Sequence, residues 1–267
     1  MSVTRAPVGF MPAAGRGVRF GASGYAKELF PLLFEDAGAN TLEPRPICEL
    51  ALRAIRSAGA ERCVTVVSPD KLEVVRVLGA VHRGMALAYV VQPEPGGIPQ
   101  ALEIARPWLE GEDVVFAMPD TIVFPQSALA RVHAERIAKG ADVMLGVFPT
   151  DEAARLGPVE VDETGKITAI HDKPAKPPAS NTWGVASWSA RFTTFCCEWN
   201  QKRGASSEGA IGHAFEAART SGLDVRACVF DGGSFLDVGT PHGLRAALSA
   251  LVTEGVLVAD QAAIVGR

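Results

Sequence analysis

The strongest constraint on the fold of this chain is an alternation of short apolar runs with amphipathic ones. Apolar runs at 7–13, 63–68, 87–92, 114–118 and 143–148 have the length and composition of buried strands. Between them Ile47, Leu50, Ala51, Ala54, Ile55 and Ala58 recur at the i, i+3, i+4, i+7 spacing of a helix with one apolar face. Ile98, Ala101, Leu102, Ala105 and Leu109 repeat the pattern, and 129–138 is a third case. Strands that are apolar on both sides need cover on both sides. The pattern therefore predicts an α/β protein, a three-layer α/β/α arrangement around a mainly parallel, Rossmann-like mixed sheet. Ligands of such sheets bind beyond the carboxyl ends of the strands, so the residues after each apolar run are the first candidates for function.

The pattern changes after about residue 150. Segments 158–162 and 166–171 read as two strands around the turn Glu163-Thr164-Gly165. A proline-rich stretch, 173–178, follows. Helical runs return near 190–202 and 209–221, then a strand at 225–230, a Gly232-Gly233 turn and a helix at 243–252. No linker separates the halves and no repeat is present. The expectation is one domain over 1–267, in which 151–267 adds a small β-rich insertion and a closing helix to the sheet of 1–150.

Composition excludes several classes. A chain that is 48% hydrophobic and 21% charged can bury a full core. A net charge of −4 offers no global basic field for nucleic acid, so an anionic ligand needs a local cluster of cations. No run approaches the roughly 18 apolar residues of a membrane helix, and residues 1–10 have no signal-peptide core. A cytoplasmic location with no membrane partner is expected. The five cysteines (48, 63, 196, 197, 228) fit no CxxC or CxxH spacing and read as buried thiols. The five histidines (82, 133, 171, 213, 242) form no HxH or HxxxH pair.

The first apolar run leads into Ala14-Gly15-Arg16-Gly17-Val18-Arg19-Phe20-Gly21. Glycines after a first strand allow a tight turn that aims backbone N–H groups at phosphate oxygens. Phe20 stands where a dinucleotide fingerprint needs its third glycine, and the Gly-Lys-Ser/Thr of a P-loop is missing. Arg16, Arg19 and Lys27 supply three cations close to the turn, enough to neutralise a triphosphate. Gln92 and Gly97 follow the third strand; a Gln amide offers both a donor and an acceptor to a base edge. Asp120 follows a buried strand and is acceptor-only, as Mg²⁺ requires.

Pro12 through Arg19, followed by Lys27-Glu28-Leu29-Phe30-Pro31-Leu32, resembles the signature of the sugar-nucleotide pyrophosphorylases, the sugar-1-phosphate nucleotidyltransferases that include glucose-1-phosphate thymidylyltransferases and uridylyltransferases. Val18 and Ala26 stand where that family usually has Thr and Pro or Ser; the arginine and lysine are kept. Four further segments match in order: Gln92 to Ala101, Pro119-Asp120, Ile170-His171-Asp172-Lys173-Pro174, and Phe235-Leu236-Asp237-Val238-Gly239-Thr240-Pro241.

The resemblance implies a nucleotidyltransferase-like fold and transfer of a nucleotidyl group from an NTP to a sugar 1-phosphate, with release of pyrophosphate. It implies nucleotide contacts from Ala14, Gly15, Arg16, Gly17, Gln92 and Gly97. It implies Mg²⁺ on Asp120 and Asp237, catalytic Arg19, Lys27 and Lys173, and sugar contacts from Gly157, Asp172 and Lys173. Trp183, in the strand opened by Ser180-Asn181, departs from the family pattern and is read as a stacking or core residue of the sugar site. Asp172 replaces the family's Glu, so the sugar hydroxyl it meets differs or is reached through water.

The Gln92/Gly97 spacing resembles the thymidylyltransferase form of the family, and that resemblance implies dTTP or UTP. A cytidylyltransferase for a non-sugar phosphate or phosphonate, and a non-catalytic nucleotide-sugar sensor, are the alternatives. The family is often oligomeric, which the resemblance extends to this chain.

Overall fold

The computed structural model describes residues 5–15, 26–36, 42–204, 209–239 and 241–253. The first half contains strands β1 (Val8–Pro12), β2 (Pro31–Asp36) and β3 (Leu42–Pro46), helix α1 (Cys48–Ser57), β4 (Arg62–Val67), α2 (Glu73–Leu78), β5 (Val81–His82), β6 (Met85–Val91), α3 (Gly97–Leu109), β7 (Val114–Ala117), β8 (Thr121–Phe124), α4 (Ala128–Lys139) and β9 (Val143–Pro149). The second half contributes β10 (Val159–Val161), β11 (Ile167–Ile170), β12 (Asn181–Trp188), α5 (Ala190–Arg203), α6 (Ile211–Thr220), β13 (Val225–Val229), β14 (Ser234–Asp237) and α7 (Pro241–Thr253).

One eight-stranded sheet runs β13-β9-β12-β7-β1-β4-β6-β5 and takes strands from both halves of the chain. β6, β4, β1 and β7 are mutually parallel, as are β13 and β9. β12 lies antiparallel between β7 and β9, and the two-residue β5 lies antiparallel at the edge. The expected mainly parallel mixed sheet is therefore present. β10 and β11 form the small insertion as a separate antiparallel pair.

Period-two alternation sorts the side chains. Val8, Phe10, Val114 and Phe116 point to one face, where Ala101, Leu102, Phe192 and Phe215 bring α3, α5 and α6. Met11, Cys63, Val115 and Ala117 point to the other, covered by α1 and α4 through Leu52, Ile55, Leu129 and Val132. On the first face Phe10, Phe116, Trp188, Phe192 and Phe215 form a chain of ring contacts with centroids 5.0–6.2 Å apart. The indole N–H of Trp188 donates to Thr193 Oγ1 at 3.0 Å, so its polar atom is satisfied in the core.

Two ribbons were not evident in the sequence. The β2–β3 hairpin carries Pro31, Pro44 and Pro46, which argue against strand; here they are tolerated in a two-stranded ribbon outside the main sheet. Among the described residues, β8 and β14 pair with each other alone. Both ribbons join a third core of Leu32, Leu33, Ile47, Ile122, Phe124 and Val238 beneath α7. That core is assembled from segments distant in the chain, and so leaves no local periodicity.

Two strand-order facts place the ligand edge. The chain runs outward from β1 to β4 and β6, then returns to β7 on β1's other side. The crevice between the carboxyl ends of β1 and β7 is the reversal point where open α/β sheets bind ligands. Gly9, in β1, lets α1 lie close: a Cβ there would fall 2.4 Å from Ile55 Cγ2 and 3.0 Å from Cys63 Cβ. Gly9→Val should therefore lower stability by about 1–3 kcal/mol through overpacking. The check is a urea unfolding midpoint that falls at unchanged slope; a wild-type midpoint would show that α1 yields freely.

Candidate active site

β1 ends at Pro12, and Ala13 continues its pairing for one residue through Ala13 N–H to Val66 O at 2.7 Å. Ala14 and Gly15 then turn over the carboxyl edge of the sheet. Arg16, Gly17 and Arg19, named by the sequence, lie outside the described residues. The chain re-enters at Ala26, and one 3-10 turn, Lys27–Leu29, follows. Neighbours in so tight a turn face apart. Lys27 reaches Asp120 as an ion pair, while Glu28 is 1% exposed and meets Lys71 at 2.8 and 2.9 Å.

Asp120 follows β7, and Thr121 opens β8. β8 pairs antiparallel with β14 in a register that sets Thr121 opposite Asp237. Val238 N–H donates to Asp120 O at 3.0 Å and seals the end of the pair. Two aspartates from distant parts of the chain are thereby brought side by side. Asp237 Oδ1 also accepts from Gly239 N–H at 2.9 Å. A Cβ on Gly239 would lie 2.9 Å from Asp237 Oδ1, 3.2 Å from Asp120 Oδ2 and 3.5 Å from Lys27 Nζ. Three charged groups thus converge on the space that glycine leaves.

This donor set fits Mg²⁺. Both carboxylates are acceptor-only oxygen ligands, and among the described residues no group of three or more His, Cys, Asp or Glu side chains gathers to hold a metal. A two-carboxylate site suits an ion that takes its remaining oxygens from phosphate and water.

Two cavities meet at this point. One is lined by Ala14, Gly15, Lys27, Gln92, Gly97 and Asp120. The other is lined by Asp120, Gly157, Asp172, Lys173, Trp183 and Asp237. Ile98, Met118 and Asp120 belong to both. Every sequence-named site residue that is described lies in one of the two, and the metal candidate Asp120 is at their junction.

In the first cavity Gln92 is 4% exposed at the end of β6, and its amide nitrogen bonds Gln100 Oε1 at 2.6 Å. Gln100, one turn into α3, was not a sequence candidate; a polar residue inside an amphipathic helix carries no local signal. Gly97 has φ +81°, and a Cβ there would fall 2.1 Å from Gly209 O. The need for glycine comes from this approach of the second half of the chain.

In the second cavity Asn181 has a structural role: its amide clamps β10 through Val159 N–H at 2.8 Å and Val159 O at 3.0 Å. Lys173 sits at φ +47° with its N–H on Leu156 O at 2.9 Å. His171 lines the cavity yet bonds Glu160 at 2.7 Å. Asp172 lies 3.5 Å from His213 on α6. Arg155, from a 3-10 turn before the insertion, also lines the cavity. His213 and Arg155 join the site only through tertiary packing.

Trp183 is 9% exposed, edge-on to Phe215 at 5.4 Å. It is therefore chiefly a core residue whose rim meets the cavity. Gly157 makes room for it: a Cβ there would lie 2.6 Å from the indole nitrogen.

Burial is the largest influence on Glu28 and raises its carboxyl pKa; the Lys71 ammonium acts in the opposite direction. The thiols of Cys48, Cys63 and Cys228 are all raised chiefly by burial, to about 12 for Cys63 and Cys228. These cysteines are core residues. No helix among the described residues is long and apolar enough to cross a membrane.

The family model "Nucleotidyl transferase" matches residues 22–254. A glucose-1-phosphate thymidylyltransferase of Neisseria meningitidis serogroup A is 27% identical over 188 residues, 66% of this chain. The match spans only 58% of that protein's length. The UTP–glucose-1-phosphate uridylyltransferase AglF of Haloferax volcanii is 27% identical over 234 residues, covering 86% of this chain and 90% of that protein. Among solved structures, a putative glucose-1-phosphate thymidylyltransferase from Bacillus anthracis superposes with a TM-score of 0.78 at 20% identity, covering 91% of this chain and 94% of that one. That likeness concerns the fold.

The contact between Gly157 and Trp183 can be tested alone. Gly157→Ala should displace the indole, altering the tryptophan band in near-ultraviolet circular dichroism and costing about 1–3 kcal/mol. A variant with the wild-type spectrum and melting point would show that Trp183 is not held by this glycine.

Proposed function

The chain belongs to the nucleotidyl transferase family, and from that premise we propose that it transfers a nucleotidyl group from an NTP, dTTP or UTP, to a sugar 1-phosphate. The observation that carries this reading is the meeting of two cavities at Asp120, one below the glycine turn and one lined by Asp172 and Lys173. A reaction between two phosphorylated substrates needs two such pockets joined where the phosphates meet.

The chemistry follows from charge. A phosphate oxygen of the sugar 1-phosphate attacks the α-phosphorus; a new P–O bond forms, the α–β bridging P–O bond breaks, and pyrophosphate leaves with the bond's electron pair. The attacking oxygen is already anionic, so no protein base is required. What the protein must supply is alignment and neutralisation of two mutually repelling anions. Lys173 holds the attacking phosphate and Lys27 the α-phosphate. The turn N–H groups, with Arg16 and Arg19, neutralise the departing pyrophosphate. Mg²⁺, when bound by Asp120 and Asp237, adds positive charge where the phosphates meet. Lys27 is paired with Asp120, so the same carboxylate orients the catalytic ammonium and contributes to the metal site.

The Gln92–Gln100 pair meets the base, and Gly157, Asp172 and Trp183 meet the sugar. The names of the Neisseria meningitidis and Haloferax volcanii relatives, a glucose-1-phosphate thymidylyltransferase and a UTP–glucose-1-phosphate uridylyltransferase, support this choice of substrates.

Asp120→Asn should lower pyrophosphate release by about a hundred-fold or more, with the thermal unfolding midpoint unchanged. A panel of nucleotides against sugar 1-phosphates, read by pyrophosphate release, is the assay. Full turnover by the variant would overturn the metal assignment. Wild-type protein that releases no pyrophosphate with any pair, yet binds a finished nucleotide sugar, would overturn the transfer reaction.

A further inference from the structure

Beside the reacting groups lies a buried pair that the mechanism does not use. Lys71 closes a 3-10 turn, Pro69–Lys71, that follows β4. It is 8% exposed, and its partner Glu28 is 1% exposed. Isolated buried charges are costly, so such a pair persists where its geometry does more than balance charge. Here the ammonium makes further contacts. Lys71 Nζ donates to Ala13 O at 3.3 Å and to Gly15 O, besides both oxygens of Glu28. All three ammonium protons are directed at the turn after β1 and at the residue next to Lys27.

Those carbonyls belong to the turn that lines the first cavity. A trans peptide sets its C=O and N–H on opposite sides. Holding Ala13 O against Lys71 therefore directs the Ala14 N–H away from Lys71, and that N–H has no protein acceptor among the described residues. Glu28, fixed by the same ammonium, sets the turn from which Lys27 reaches Asp120. One side chain thus holds both the backbone of the phosphate turn and the base of the catalytic lysine; Lys71 itself stays outside the lining of the first cavity, to which its partner Glu28 contributes.

We propose that Lys71 is the positioning residue of the nucleotide site: its ammonium, anchored on Glu28, ties the Ala13 and Gly15 carbonyls and so presents the turn's N–H groups to the nucleotide phosphates. The inference rests on the function proposed above. It separates two roles that a buried ion pair can play. A pair that only supports the fold can be replaced by two neutral residues without loss. A positioning lysine cannot, because the carbonyl ties disappear with it.

The test uses the full chain with Lys71→Met, Glu28→Gln and the double variant K71M/E28Q. Binding of UTP and dTTP in Mg²⁺ is measured by calorimetry, unfolding by urea, and the KM of each substrate by pyrophosphate release. Lys71→Met should unfold at lower urea and bind nucleotide at least ten-fold more weakly, with the KM for the sugar 1-phosphate unchanged. The double variant, which leaves no lone buried charge, should regain most of the stability yet keep the ten-fold loss of nucleotide affinity. It carries the test by itself if Lys71→Met does not fold. A double variant with wild-type affinity would reduce the pair to fold support and overturn the proposal, as would an equal rise in the KM of both substrates. Wild-type protein that binds neither nucleotide would overturn the functional reading, and the inference with it; wild-type binding beside unaltered variants overturns the inference alone.

Discussion

The site depends on one antiparallel register. Among the described residues β8 and β14 pair only with each other, and their alignment of Thr121 with Asp237 brings Asp120 and Asp237 together. A slip of one residue would turn Asp237 to the opposite face of the ribbon. The register is held from three sides: Val238 N–H on Asp120 O, the third core beneath the ribbon, and Phe235 packed towards Gly184 of β12. The reacting edge of the main sheet and the end of the chain are joined at the point where charge is concentrated.

The second organising feature is the separation of charge by the 3-10 turn at Lys27–Leu29. Lys27 faces the aspartates and Glu28 faces the buried Lys71. Set beside a fixed Glu28, Lys27 is aimed at the carboxylate side of the site, where it pairs with Asp120. The outward ammonium and the inward carboxylate sit in environments of different polarity, and burial accordingly raises the carboxyl pKa of Glu28. In a chain of net charge −4, Lys27, Arg155 and Lys173 line the two joined cavities.

Glycines mark where separate segments of the chain approach. Gly97 admits the backbone of Gly209, Gly157 admits Trp183, and Gly239 leaves open the space between the carboxylates. The sequence marks Gly97 and Gly157 as ligand contacts; that their missing Cβ also admits Gly209 and Trp183 is a matter of tertiary packing, which no local pattern can reveal.

The sequence by itself determined the parallel sheet and its helices, because apolar runs and helical faces are local periodicities. Asp120 stood out as an acceptor-only residue after a buried strand, and Asp172, Lys173 and Asp237 as candidates because the order of these motifs resembles that of a known family. The tertiary structure alone decided the rest. The β2–β3 and β8–β14 ribbons are held by a shared core of distant segments, so prolines could sit in them and periodicity was absent. Gln100, His213, Arg155 and Lys71 joined the site through packing between elements. For Lys71 the reason is plainest: an ammonium buried against two carbonyls and a carboxylate looks, along the chain, like any lysine at the start of a helix.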